Sequence, residues 1–417
     1  MQDETTARER TLLCAVDTGA YDMDSALQEL RELVDTAGGD VVGELVQRRE
    51  APERTSYLGS GRLAELATVC ETAEVALVVV DDELTSVQQR ALEDALPDGC
   101  RVIDRTMLIL DIFAARARSA EGRLQVELAQ LQYRLPRLMG QGEALSRLGG
   151  GIGTRGPGET KLETDRRHIR RRIAALRAEL ETVQRRREEH RARRRKDGYC
   201  SVAIVGYTNA GKSTLLNALT DADVLAEDKL FATLDPTVRA LRLPDGRTVM
   251  LSDTVGFVRR LPHHLVQAFR STLEEAVDAD VILNVCDASS PEAAEHLAVT
   301  RQLLQELGCG EQPILTVMNK CDRLTLLPED GGEPCVRISA KTGAGLPQLL
   351  DAIAAALPPD RRRVTLLLPF SQGGLAEECR RDGAVESEEY TAEGLRMTVT
   401  LGLRLLNLTA PYQVAEE

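Results

Sequence analysis

Eight residues, Gly206-Tyr207-Thr208-Asn209-Ala210-Gly211-Lys212-Ser213, follow the apolar run Val202-Ala203-Ile204-Val205 and lead into a helical stretch, Thr214 to Leu219. GxxxxGKS between a strand and a helix is suited to phosphate. Its glycines let backbone N–H groups turn inward around an anion at a helix N-terminus. Lys212 can bridge a β- and a γ-phosphate, and the Ser213 hydroxyl can ligate Mg²⁺. The pattern leaves ATP and GTP open. A chance glycine-rich turn is the alternative, and the strand–loop–helix setting argues against it.

Base identity comes from further along. The buried-looking strand Ile314 to Met318 ends in Asn319-Lys320-Cys321-Asp322, an NKxD element. One carboxylate, Asp322, can accept from both the N1 imino and the 2-amino group of guanine. Adenine offers it an acceptor instead, and a site built on particular donors rejects analogues that lack them. Another strand, Cys335 to Ile338, delivers Ser339-Ala340-Lys341, whose backbone can contact the guanine O6. NKxD and SAK are each weak alone; in this order after a phosphate loop they specify GTP and GDP.

Between them lie groups that can sense a γ-phosphate. Asp253-Thr254-Val255-Gly256 closes a strand as DxxG, after a hairpin turn marked by Asp245-Gly246. Asp253 is expected to hold Mg²⁺ through water, and the Gly256 N–H to reach the γ-phosphate. Thr233, in Phe231 to Thr237, is the candidate to complete the Mg²⁺ shell with Ser213 and Asp253; Thr237 is the alternative. Lys212, Thr233 and Gly256 are therefore the catalytic candidates.

Phe257 occupies the position after the DxxG glycine, where a glutamine can orient the attacking water. A phenyl ring cannot. Intrinsic hydrolysis should be slow, with the alignment supplied by a partner, an ion or a backbone group. An asparagine at position 209 resembles that of GTPases which coordinate K⁺ beside the phosphates, and a plain turn residue is the competing reading.

These groups need a scaffold, and the chain alternates strand and helix to supply one. From Ser201 to Leu357 the pattern is that of a nucleotide-binding α/β domain. Ahead of it, Thr11–Val16, Val41–Val46, Val75–Val80 and Arg101–Ile103 read as strands between helices, a small α/β domain with a largely parallel sheet. Leu124, Leu128, Leu131, Leu135 and Leu138 then form one helical seam, which Pro136 should weaken or end near its close. Leu162, Ile169, Ile173, Leu176, Leu180 and Val183 continue the rhythm in a second helix, with Arg166 in the one interrupted slot, so an antiparallel hairpin is expected. Its connecting segment, Met139 to Thr160, contains a glycine-rich run from Gly149 to Gly158 and cannot form regular structure. The tail reads as strand, helix, strand, strand, a compact α+β appendage. The resulting α/β architecture divides into residues 1–121, a hairpin over 122–197, a nucleotide domain over 198–358 and a C-terminal α+β domain over 359–417.

The net charge of −14 hides an asymmetry. Arg166 to Lys196 holds fourteen Arg/Lys against four Glu, so the rest of the chain is near −24. A basic arm on an acidic body suits contact with RNA or another polyanion; a solvated helical face is the plainer reading. Hydrophobic content of 43% and charged content of 28% fit a globular protein. No apolar run is long enough to span a membrane, and the polar Met1–Arg10 does not read as a signal peptide. Nine cysteines without a CxxC pair suit reduced thiols in the cytoplasm.

With these residues in hand, the chain resembles the HflX family of ribosome-associated GTPases. The likeness rests on Gly206 to Thr214, on Leu230 to Thr237 and on Asp253 to Phe257. Outside the nucleotide domain it rests on Tyr57-Leu58-Gly59-Ser60-Gly61 and on Gly153 to Thr160. Ser60-Gly61-Arg62 departs from the lysines often found there. The resemblance implies binding to the large ribosomal subunit, with the basic hairpin over 160–196 on ribosomal RNA. It also implies activation by ribosomes and GTP-dependent splitting of stalled or idle ribosomes under stress. A monomer is expected. A second reading is a ribosome- or RNA-binding module that GTP merely orders, with incidental hydrolysis. A GTPase partnered with an RNA-modifying enzyme would need a folate or catalytic-cysteine site, and Cys379 reads as a core residue instead.

Overall fold

A computed structural model describes residues 8–147, 157–196, 199–220, 230–231, 237–260, 275–310, 312–324, 334–358 and 361–414. By its contacts the chain forms two compact units. The first comprises residues 1–181 with 227–235 and 258–269, and the second comprises the remainder.

The first unit begins with four parallel strands, β1 (Glu9–Asp17), β2 (Gly39–Arg48), β3 (Leu77–Val80) and β4 (Arg101–Asp104), in the order β2-β1-β3-β4. All four residues of β3 are buried, as expected of a Val-rich strand covered on both faces. Helices α1 (Met23–Ala37), α2 (Ser60–Thr72), α3 (Ser86–Ala95) and α4 (Arg105–Arg116) separate or follow them. Local chemistry sets their starts. Asp22, Thr85 and Asp104 each accept an N-cap hydrogen bond, and Thr85 with Gln88 forms a capping box.

Two long helices follow, α5 (Ala120–Arg147) and α6 (Pro157–Lys196). They meet where Arg172 Nε and Nη2 donate to the two oxygens of Glu127, each at 2.7 Å. Ile173, Leu176 and Leu180 are buried on the seam, while Arg167, Arg170, Arg171 and Arg177 on the same helix are exposed. Pro136 does not end α5, contrary to the sequence-based expectation. Proline lacks the N–H for one helical hydrogen bond, and Tyr133 and Arg137 on either side of it both bind the Asp104 carboxylate, which ties this stretch of α5 to another element. The joining segment is shorter than the sequence suggested, because residues 139–147 continue α5 and residues 157–160, Gly158 among them, open α6; residues 148–156 lie outside the described residues.

The second unit carries a six-stranded sheet ordered β10-β9-β8-β5-β7-β6. Its strands are β5 (Cys200–Gly206), β6 (Thr237–Arg242), β7 (Thr248–Asp253), β8 (Val281–Asp287), β9 (Ile314–Asn319) and β10 (Cys335–Arg337). Only β6 is antiparallel, paired with β7 through the turn at Asp245-Gly246. A core of Val202, Ile204, Leu215, Leu251, Leu283 and Val317 holds sheet and helices together. The C-terminal part is a sheet of order β12-β13-β11-β14, from β11 (Arg361–Leu368), β12 (Ala384–Tyr390), β13 (Leu395–Gly402) and β14 (Gln413–Val414). The helix Gly373–Asp382 buries Cys379 in this core, in agreement with its reading as structural. A second helix, Leu403–Thr409, and the short β14 complete it.

Candidate functional site

The carboxyl ends of β5, β7, β8 and β9 converge in the second unit, and the sequence-marked residues stand on the loops that leave them. Such an edge is where open α/β sheets bind ligands. Gly206 ends β5 and Lys212 opens helix α7 (Lys212–Thr220), with Ser213 and Thr214 in its first turn. The intervening loop turns on two left-handed residues, Asn209 at φ 60° and Gly211 at φ 89°. Gly211 has no alternative there, because a Cβ would run into the Asn319 amide.

Lys212 is buried, and its ammonium donates to the carbonyls of Gly206 at 3.1 Å and Tyr207 at 2.9 Å. Burial pushes its pKa down to about 8, against an opposing pull from Asp253. A desolvated ammonium with few partners is ready for an anion. Thr208 Oγ1 is likewise buried and has no hydrogen-bond partner among the described residues.

Ser213 Oγ donates to Asp253 Oδ2 at 2.7 Å, and Asp253 is wholly buried. A hydroxyl and a carboxylate beside a phosphate loop are hard oxygen donors of the kind Mg²⁺ takes along with phosphate and water. Among the described residues no group of three or more His, Cys, Asp or Glu could hold a metal ion. Thr233 lies outside the described residues; its alternative, Thr237, begins β6.

Gly256 sits against the loop so closely that a Cβ would lie 2.7 Å from Thr208 Cγ2 and 2.9 Å from Lys212 Nζ. The next residue continues the contact. Phe257 donates its N–H to Gly206 O at 3.1 Å and accepts from the Thr208 N–H at 2.7 Å, a short bridge of parallel type. Its ring is 2% exposed and so belongs to the interior, not to a water-orienting role.

Asn319 ties two loops. Its Nδ2 donates to Ala210 O at 2.9 Å, and its Oδ1 accepts from the Ala340 N–H at 3.0 Å. Asp322 Oδ1 accepts from Ser339 Oγ at 2.6 Å. Lys320, left-handed at φ 61°, pairs with Asp287 Oδ2 at 2.8 Å, and Lys341 is exposed. The geometry thus brings Gly206 to Thr214, Asp253, Gly256, Asn319, Lys320, Asp322, Ser339, Ala340 and Lys341 to one sheet edge.

Two contributors were not read from the sequence. Asp287 anchors Lys320, and its place at the end of an apolar strand was the available signal. His296 stacks on Tyr207 with centroids 3.8 Å apart and 12° between planes. That pairing joins residues far apart in the chain, and no local pattern announces it.

Three family models match the chain: "GTP-binding GTPase N-terminal" over residues 24–114, "GTP-binding GTPase Middle Region" over 116–194, and "50S ribosome-binding GTPase" over 201–320. Among curated proteins, the GTPase HflX of Alkalihalophilus pseudofirmus is 54% identical over 97% of this chain and 95% of its own length. That of Caldanaerobacter subterraneus subsp. tengcongensis is 51% identical over 95% and 91%. That of Escherichia coli is 43% identical over 91% and 89%.

Proposed function

From the premise that this chain belongs to the HflX family of GTPases, binding GTP and GDP and hydrolysing GTP, we propose that its hydrolysis is governed by the ribosome. In this reading it associates with the large ribosomal subunit and with ribosomes, is stimulated by them, and separates stalled or idle ribosomes under stress. The observation that carries the reading is the row of exposed arginines on α6, Arg167, Arg170, Arg171 and Arg177, within a segment of fourteen basic residues on an otherwise acidic chain. Phosphate contacts from such a helix supply affinity for RNA. The matching family model's description, a 50S ribosome-binding GTPase, supports the same target.

The proposed residue roles combine the sequence motifs with the placement of the described residues. Backbone N–H groups from Gly206 to Ser213 hold the phosphates, with Tyr207, Thr208, Asn209, Ala210 and Thr214 shaping the loop. Lys212 neutralises the β- and γ-phosphates. Ser213 and Asp253 hold Mg²⁺, with Thr233 completing the shell, and the ion supplies charge neutralisation on the phosphates. The Gly256 N–H meets the γ-phosphate. Asp322 reads the guanine edge, supported by Asn319, Lys320, Ser339, Ala340 and Lys341. K⁺ beside Asn209 is a further component of the proposal, as are a cytoplasmic setting, a monomeric state and the four-part domain division. Among the described residues no helix is long and apolar enough to cross a membrane.

GTP turnover measured with and without purified large subunits, in K⁺ and then Na⁺ buffer, tests the reading. Strong stimulation by subunits is expected, larger in K⁺. Flat rates in every condition contradict both activation and ion dependence, and favour the alternative of a GTP-ordered binding module with incidental hydrolysis.

A further inference from the structure

Thr208 stands in the middle of the phosphate loop with its side chain inside the protein. The residue is 6% exposed, and its hydroxyl has no hydrogen-bond partner among the described residues. Buried hydroxyls are nearly always paired, so an unpaired one marks a place that a ligand or an ordered water completes. The backbone around it is pinned. The Thr208 N–H donates to Phe257 O at 2.7 Å, and Phe257 returns its own N–H to Gly206 O at 3.1 Å. Beside it, Tyr207 has its ring stacked on His296 and its carbonyl bound to the Lys212 ammonium at 2.9 Å. The hydroxyl is therefore held in place before any nucleotide arrives, which is what a preorganised polar group requires.

Its side chain also lies against the groups expected to meet the γ-phosphate. A Cβ on Gly256 would lie 2.7 Å from Thr208 Cγ2 and 2.9 Å from Lys212 Nζ. Oγ1 and Cγ2 share one carbon, which puts the hydroxyl within about 5 Å of the same point. One small volume thus holds the Lys212 ammonium, the Gly256 backbone and an uncommitted hydroxyl. Phe257, the next residue, has an apolar ring that is 2% exposed, so its position supplies no side chain to align water.

We infer that Thr208 is a catalytic residue for GTP hydrolysis, its hydroxyl accepting a hydrogen bond from the attacking water and donating one to a γ-phosphate oxygen. This role rests on the placement of the γ-phosphate between Lys212 and the Gly256 N–H proposed above. A hydroxyl has the one donor and the acceptor lone pairs that the task needs. In the step itself, the water oxygen bonds to the γ-phosphorus. The bond from that phosphorus to the β–γ bridging oxygen breaks, and its electron pair stays with GDP. One water proton passes to a γ-phosphate oxygen, and Thr208 ends the reaction unchanged. A hydroxyl of ordinary acidity suffices, since it aligns the water without taking its proton. GDP has no γ-phosphate and makes no use of it.

Single-turnover hydrolysis of bound GTP by the full-length protein, measured without ribosomes, tests this role beside the affinity for fluorescent GDP. Thr208→Val keeps the branched shape and removes only the hydroxyl. We expect its hydrolysis rate to fall at least about tenfold, with GDP affinity changed less than about twofold, the split that marks an interaction made in the transition state. Thr208→Ser keeps the hydroxyl and should retain most of the wild-type rate. An unchanged rate in Thr208→Val overturns the inference, as does an equal loss in Thr208→Ser or a fall in GDP affinity as large as the fall in rate. A loss seen in K⁺ but not in Na⁺ buffer also overturns it, since the hydroxyl would then serve the ion. Lys212→Ala separates this role from the phosphate assignment. Undiminished nucleotide affinity there overturns the assignment and the inference together. Weakened affinity there, with an unchanged Thr208→Val rate, overturns the inference alone.

Discussion

The Ser339 hydroxyl donates to the Asp322 carboxylate at 2.6 Å, so the residue proposed to read guanine is aimed by a residue from a different strand end. This bond is the first cause holding the Asp322 carboxyl below the usual carboxylate range. A depressed carboxyl keeps its charge until pH falls through its lowered pKa. We therefore expect Ser339→Ala to weaken GDP binding about tenfold at neutral pH. Its disadvantage relative to the wild type should grow as pH drops toward the ordinary carboxylate range. Binding curves at matched pH check this, because titration of the nucleotide itself cancels between the two proteins.

Asp322→Asn should shift preference from guanine toward xanthine nucleotides. The amide can donate to the 2-oxo group of xanthine, whereas the 2-amino group of guanine meets a second donor. Competition between GDP and XDP for the variant measures the change, and unaltered preference for GDP counts against the base assignment.

Asn319 braces two loops. Removing its side chain in Asn319→Ala strands the Ala210 carbonyl and the Ala340 N–H together, both in a buried setting. A loss of roughly 2 kcal/mol of stability is expected in denaturant unfolding, since each orphaned buried group costs on the order of 1 kcal/mol or more. GDP affinity should fall as well, because the phosphate and base loops lose their common support.

Gly256→Ala puts a methyl group against Thr208 and Lys212. Single-turnover hydrolysis should fall by roughly a hundredfold, the scale of losing one donor aimed at developing charge. GDP binding should suffer less. Equal losses in both would show that the residue only maintains the fold.

How much of this could be read from residues alone follows the range of each interaction. The Gly206–Ser213 loop and the Asn319–Asp322 element were legible because each is a contiguous run of residues with a recognisable spacing. The sheet and its parallel order followed from apolar strands alternating with helices. The persistence of α5 through Pro136 was not legible, and the residues flanking the proline are tied to Asp104 in another element. The stacking of Tyr207 on His296 is also a product of the fold, between residues distant in sequence. The helix Leu403–Thr409 was missed because a short apolar run after a strand reads as its continuation.

Replacing Arg167, Arg170, Arg171 and Arg177 on α6 by glutamine should weaken binding to large subunits by tenfold or more, and flatten its dependence on salt. Sedimentation with subunits across a salt series gives both numbers. Guanine-nucleotide affinity in the absence of subunits should be unchanged, since these side chains lie on a solvated helix face.

The guanine-specific site itself is tested most directly by displacing prebound fluorescent GDP with unlabelled GDP and with ADP. The account predicts that ADP needs a concentration at least about 10⁴-fold higher, the penalty for leaving the Asp322 carboxylate facing an acceptor instead of donors. Displacement by ADP at concentrations near those of GDP would contradict it.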